Sequence, residues 1–139
     1  MHIAGHLLDQ IFEHARESAP AECFGFLVGR LHEGGHVFRV FRGTNLAKRP
    51  ECEYLMDSAE FIQVEGVAER AGWQVIGFYH SHPDGSVRPS AQDVAEFWPD
   101  STYLIVAVVL GQVVGISGWR LSVDAQSAVR VDLDVDALE

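Results

Sequence analysis

The chain has 139 residues, 47% of them hydrophobic and 22% charged, a size and balance that exclude disordered and fibrous classes and suit one globular domain. A chain this long buries roughly two-thirds of the surface it exposes when unfolded, so it needs neither disulfides nor a structural metal in order to fold. Twenty acidic residues against ten basic ones give a formal charge of -10, which disfavours a broad basic face for nucleic acid or for an anionic membrane.

Apolar residues at Leu7, Leu8, Ile11, Phe12 and Ala15 recur at helical spacing and predict a first helix over residues 5–18, ended before Pro20. Residues 23–28, with Phe24, Phe26 and Val28, read as a buried strand closed by Gly29. After the turn at Glu33-Gly34-Gly35, the alternating segment 36–41 pairs with it as a hairpin. Residues 45–52 form a polar loop. Ser58 as an N-cap, followed by Phe61, Ile62, Val64, Val67 and Ala68, predicts a second helix over residues 58–71, stopped by Gly72. Residues 73–80, rich in β-branched and aromatic side chains, predict a central strand; a loop with Pro83, Gly85 and Pro89 follows, and a short third helix begins at Ser90. Residues 103–110 and 113–121, joined at Gly111-Gln112, predict a second hairpin, and 129–135 is either a half-exposed strand or a solvated end. The order α, β-hairpin, α, β, α, β-hairpin gives a mixed α/β fold in a single domain spanning residues 1–139.

Cys23 and Cys52 lack CxxC spacing and read as free thiols in a reducing compartment. The first residues carry no basic, continuously apolar leader, and no stretch approaches the ~18 apolar residues of a membrane span. The expectation is a cytoplasmic protein.

The chemistry concentrates in His80-Ser81-His82-Pro83, with Ser90-x-x-Asp93 downstream. Histidines at i and i+2 on a strand project to one side, their Cα atoms about 6 to 7 Å apart, and both imidazoles can reach one ion at about 2.0 Å. Asp93, in the first turn of the next helix, can return a carboxylate to the same point. Three ligands of the His, His, Asp type leave a tetrahedral position open for water, the catalytic rather than the structural pattern of zinc. Among the acids that could manage the proton, Glu22 stands out, because it precedes an apolar strand where a carboxylate is expensive to bury.

The series Glu22-x-x-Gly25-x-Leu27-x-Gly29, then His80-Ser81-His82-Pro83 and Ser90-x-x-Asp93, resembles the JAMM (MPN+) zinc isopeptidases, a family of deubiquitinases with compact prokaryotic relatives. Asn45 followed by Tyr54-Leu55-Met56-Asp57 is similar to the family's middle segment. The resemblance implies one Zn2+ per chain held by His80, His82 and Asp93, with Glu22 as general base and later acid to the leaving amine. Ser90 would donate a hydrogen bond to the developing oxyanion. It also implies a curved mixed sheet flanked by helices, akin to cytidine deaminases. The implied reaction is hydrolysis of the peptide or isopeptide bond after the C-terminal Gly-Gly of a ubiquitin-like or sulfur-carrier protein. The long insertions with which eukaryotic deubiquitinases grip ubiquitin are missing here, as in the compact members.

Three blander readings stand beside these. Ser90-x-x-Asp93 is also a capping-box pattern, compatible with a ligand role because the cap aims Asp93. A catalytically silent MPN scaffold is the alternative function, but such scaffolds typically lose their ligands, and here all are present. A zinc deaminase needs a His-x-Glu and a Pro-Cys-x-x-Cys, which the chain lacks. Cys23 reads as a buried small hydrophobe, Phe24, Phe26, Phe38 and Phe41 as core, and His2, His6, His14, His32 and His36 as solvated.

Overall fold

The computed structural model describes residues 1–136. Eight strands form one sheet in the order β7-β6-β5-β4-β2-β3-β1-β8. They are β1 (His2–Ala4), β2 (Phe24–Arg30), β3 (His36–Gly43), β4 (Gln74–His82), β5 (Thr102–Val109), β6 (Gln112–Leu121), β7 (Ala128–Val131) and β8 (Asp134–Asp136), with helices α1 (Gly5–Ser18), α2 (Ser58–Arg70) and α3 (Ala91–Glu96). Both expected hairpins form, β2 with β3 and β5 with β6, each antiparallel. The central strand β4 pairs antiparallel with β2 and parallel with β5. Register shifts at Val28/Gly29, Leu27/Val28 and Ala107/Val108 bend the sheet.

Alternation along the central strands sorts side chains onto the two faces. On one face, Leu27, Tyr79, Leu104 and Val106 pack with Leu7, Leu8, Ile11 and Ala15 of α1. On the other, Phe24, Phe26, Phe78 and Tyr103 pack with Val64 and Ala68 of α2 and with Phe97 after α3. His80 and His82 share the parity of Phe78 and therefore emerge on the α2/α3 face, where that strand runs out. Gly25 is fixed by a close approach: a Cβ there would lie 2.1 Å from the Tyr79 ring, its partner across β2 and β4.

Several local readings change. β1 and β8 were not foreseen as separate strands. β1 is three residues long and joins β3 and β8 by parallel pairing, so its evidence lies in distant segments rather than in its own sequence. The tail forms β7 and β8. The N-cap of α2 is Asp57, whose side chain accepts from the Ala59 N–H. His14 is buried, its Nδ1 2.6 Å from the Tyr79 hydroxyl, and Phe38 is exposed rather than core. Among the described residues no helix is long and apolar enough to cross a membrane.

Candidate metal centre and active site

The last three residues of β4 carry the site. His80 is fully buried and His82 nearly so, and Asp93 comes to meet them from the first turn of α3. The His80 and His82 Nε2 atoms are 3.1 Å apart, and Asp93 Oδ2 lies 3.3 Å from the first and 3.0 Å from the second. A tetrahedral ion bound at about 2.0 Å separates its ligand atoms by about 3.3 Å, so the three atoms already occupy corners that one zinc-sized cation would join. Without a cation, one proton at most fits between the two nitrogens.

The orientation of each of these three side chains has its own cause. His82 donates Nδ1–H to the Ser86 carbonyl at 3.2 Å, which leaves its Nε2 lone pair facing the centre. His80 Nδ1 is buried and has no protein partner. Its ring is held instead by packing against Tyr54, with centroids 4.5 Å apart. Asp93 is aimed by the capping box: its N–H donates to Ser90 Oγ at 3.0 Å, and Ser90 N–H donates to Asp93 Oδ2 at 2.9 Å. The cap and the ligand geometry thus coexist in the same pair of residues, and Ser90 Oγ, acting as acceptor, keeps its own hydrogen free.

Electrostatics separate the four groups. Burial opposes ionisation of Asp93, but hydrogen bonds and charge from His80 and His82 outweigh it and hold the carboxyl far below the usual carboxylate range. Burial pushes His80 toward the neutral form. For His82 burial acts the same way and is overcome by the Asp93 hydrogen bond and charge, so its pKa rises. A metal held here by His82 would require that imidazole in its neutral form. Glu22 is 7% exposed, its Oε1 has no protein partner, and one atom of each of Glu22, His80 and His82 lies within 4.8 Å of the others. Burial, opposed by His82 and reinforced by Asp93 and Asp84, raises the Glu22 carboxyl to about 7. A carboxyl with that value could both take and return a proton near neutrality.

A cleft of about 240 Å³ opens onto Glu22 and His82, with Glu51, Cys52, Asp84 and Ser90 on its walls. A second cavity of about 220 Å³ lies behind Tyr54 among Phe78, Trp98 and Tyr103.

Of the five residues singled out in the sequence, Glu22, His82 and Ser90 line the first of these clefts, while His80 and Asp93 meet His82 through the short contacts described above. Two supports were not anticipated. Ser81, the residue between the histidines, accepts the Cys23 N–H on its Oγ at 2.8 Å and donates its own N–H to the Cys23 carbonyl at 3.2 Å. Tyr54 packs on His80. Neither contact has a local sequence signal, because each joins segments more than twenty residues apart.

Residues 5–122 match the family described as prokaryotic homologs of the JAB domain. The chain belongs to this prokaryotic JAB branch of the JAMM family. The JAB domain is 37% identical over 108 residues to the desampylase of Haloferax volcanii, covering 74% of this chain and 77% of that one. It is 31% identical over 96 residues to a probable TtuB-protein conjugate cleaving protease of Thermus thermophilus, covering 69% of this chain and 62% of that one. A JAB1/MPN domain protein from Archaeoglobus fulgidus, AF2198, superposes with a TM-score of 0.61 at 21% identity over the whole of both chains, a likeness of fold. The mixed sheet with helices on both faces is the JAB1/MPN fold, and the chain is a hydrolase of that family carrying a His-His-Glu cluster able to bind a metal.

Proposed function

We propose that this JAB domain, residues 1–139 acting as one unit, is a zinc metallopeptidase. It hydrolyses the peptide or isopeptide bond after the C-terminal Gly-Gly of a ubiquitin-like or sulfur-carrier protein. The observation that carries the reading is the convergence of His80 Nε2, His82 Nε2 and Asp93 Oδ2 at 3.0 to 3.3 Å beside the buried Glu22 carboxyl, whose Oε1 has no protein partner. Support for the substrate class comes from relatives named for cleaving protein conjugates of this kind. The short connection from Asp93 to β5, residues 94–101 alone, fits the compact members.

One zinc ion per chain, held by His80, His82 and Asp93, would supply Lewis-acid polarisation of the scissile carbonyl and a more acidic water. The chain's own residues do the rest. Glu22 takes a proton from the attacking water as its oxygen bonds to the carbonyl carbon. The same carboxyl then hands that proton to the leaving nitrogen as the C–N bond breaks. The free hydrogen of Ser90 Oγ donates to the oxyanion, while its oxygen keeps the cap that aims Asp93. The acidic walls, with Glu51 and Asp84 against the single cation Arg88, favour a substrate tail that brings no carboxylate of its own to the scissile bond. We place the reaction in the cytoplasm, consistent with Cys23 and Cys52 both being free thiols.

The test is mass spectrometry of the zinc-loaded protein and a chelated control. Each is incubated with the host's ubiquitin-like carriers extended beyond their Gly-Gly. The expected result is a product ending in Gly-Gly that disappears with chelator. Bound zinc with no cleavage of any carrier or carrier conjugate would instead make the domain a scaffold.

A further inference from the structure

Asn45 lies outside the reaction described above, yet it uses its whole amide. Its Nδ2 donates to the Glu22 carbonyl and to the Glu53 carbonyl, both at 2.9 Å. Its Oδ1 accepts from the Ala47 N–H and the Leu55 N–H, both at 3.0 Å. Three of these bonds close the loop of residues 46–55 onto itself, and the fourth ties that loop to the backbone of the general base. The same loop reaches Glu22 a second time, since Glu22 N–H donates to the Pro50 carbonyl at 2.6 Å. On the following residue, Ser81 Oγ takes the Cys23 N–H. The Glu22 backbone is therefore bonded at both its N–H and its carbonyl, while its carboxyl Oε1 is left without a protein partner.

Resting on the hydrolytic reading of this site, we infer that Asn45 is a positioning residue for Glu22. A general base must keep its carboxylate free for water and the leaving amine, so hydrogen bonds to the carboxylate cannot hold it in place. The hold has to come from the backbone. Only an amide side chain offers two donor hydrogens and a two-lone-pair acceptor in one plane. Aspartate in its place keeps the acceptor side and loses both donors, setting a charge against the Glu22 and Glu53 carbonyls. The loop that Asn45 ties to Glu22 also brings Glu51 and Cys52 to the cleft wall and Tyr54 to His80, so one side chain registers the base against the ligand set.

The experiment is a double-mutant cycle on zinc-loaded protein with a cleavable carrier substrate. It uses Asn45→Asp, Glu22→Gln and the pair, with metal affinity measured by competition with a chromophoric chelator. Displacing a catalytic group by about 1 Å can cost 100-fold, so Asn45→Asp should lower kcat by about 10- to 100-fold. KM and metal affinity should each stay within about threefold. Because the loss acts through Glu22, the double variant should be no slower than Glu22→Gln alone, within about twofold. Losses that multiply, an unchanged kcat, or a fall in metal affinity as large as the fall in kcat would each overturn the inference. If Asn45→Asp does not fold, Asn45→Ala, which brings no charge against the carbonyls, takes its place in the cycle. A wild-type protein that cleaves nothing overturns the functional reading instead. Hydrogen exchange of the metal-free protein then decides the positioning: exchange at the Glu22 and Cys23 amides should speed up in the variant, and unchanged exchange refutes the clamp.

Discussion

His14 makes stability depend on pH in a way the structure quantifies. It sits on the buried face of α1, 8% exposed, with its Nδ1 2.6 Å from the Tyr79 hydroxyl. Burial raises the pKa of that tyrosine, so the hydroxyl keeps its proton and can donate it to an imidazole in its neutral form. Burial, with the nearby Arg42 adding to it, lowers the His14 pKa from 6.5 to about 4. The unfolded chain therefore takes up a proton near pH 6.5, while the folded protein refuses it until about pH 4. Between those values the unfolded state binds more protons, so stability falls as pH falls. The contribution is complete above pH 6.5 and gone below about 4. At about 1.4 kcal/mol per pH unit, the gap amounts to about 3 kcal/mol. Urea unfolding of the metal-free protein from pH 8 to pH 4 measures it against His14→Gln, whose side-chain oxygen can accept from Tyr79 without titrating. The stability advantage of wild type over the variant should shrink by about 3 kcal/mol across that range. Parallel curves for the two proteins would refute the assignment of a neutral, hydrogen-bonded His14.

Two further predictions concern the centre. Glu22→Gln should keep zinc, as measured by metal analysis after gel filtration, yet lose about 10²- to 10⁴-fold in kcat, the worth of a positioned acid-base group; normal turnover would remove Glu22 from the reaction. His82→Ala should lose both zinc and activity, because two remaining ligands hold the ion poorly. Full zinc occupancy in that variant would place the ion elsewhere.

The two histidines, Asp93 and the central strand were legible because their signals are local. The period of two puts His80 and His82 on one face, and Ser90 marks the helix start that aims Asp93. The position of Asn45 before the family-like Tyr54-Leu55-Met56 was legible only by resemblance, since its four partners are backbone groups that composition does not reveal. His14 could have been found: it stands three residues after Ile11, on the same helical face as Leu7 and Ile11, and only its polarity argued for solvent. β1 could not, because a three-residue strand is created by its partners β3 and β8. The burial of Glu22 was inferable as a cost, but what holds its backbone was not: the contacts to Asn45, Pro50 and Cys23's partner Ser81 lie 23 to 59 positions away in the chain.

The two buried side-chain atoms that lack a protein partner among the described residues, Glu22 Oε1 and His80 Nδ1, both belong to the same site. A buried polar atom without a partner costs about 1 to 3 kcal/mol, and the other buried side-chain polar atoms among the described residues avoid that penalty, as at Ser81 and Ser117, whose hydroxyls are both bonded. A scaffold that used this surface only to bind another protein would gain nothing from leaving a carboxyl oxygen without a partner beside two imidazoles and an aspartate. Stability given up at one point, where the other buried side-chain polar atoms among the described residues are satisfied, is what a reaction site requires. In the proposed reaction, Glu22 as base must be desolvated to sit near neutrality and unbonded to move a proton. The clamps on the Glu22 backbone then become intelligible as the compensation that keeps so poorly solvated a group in one place.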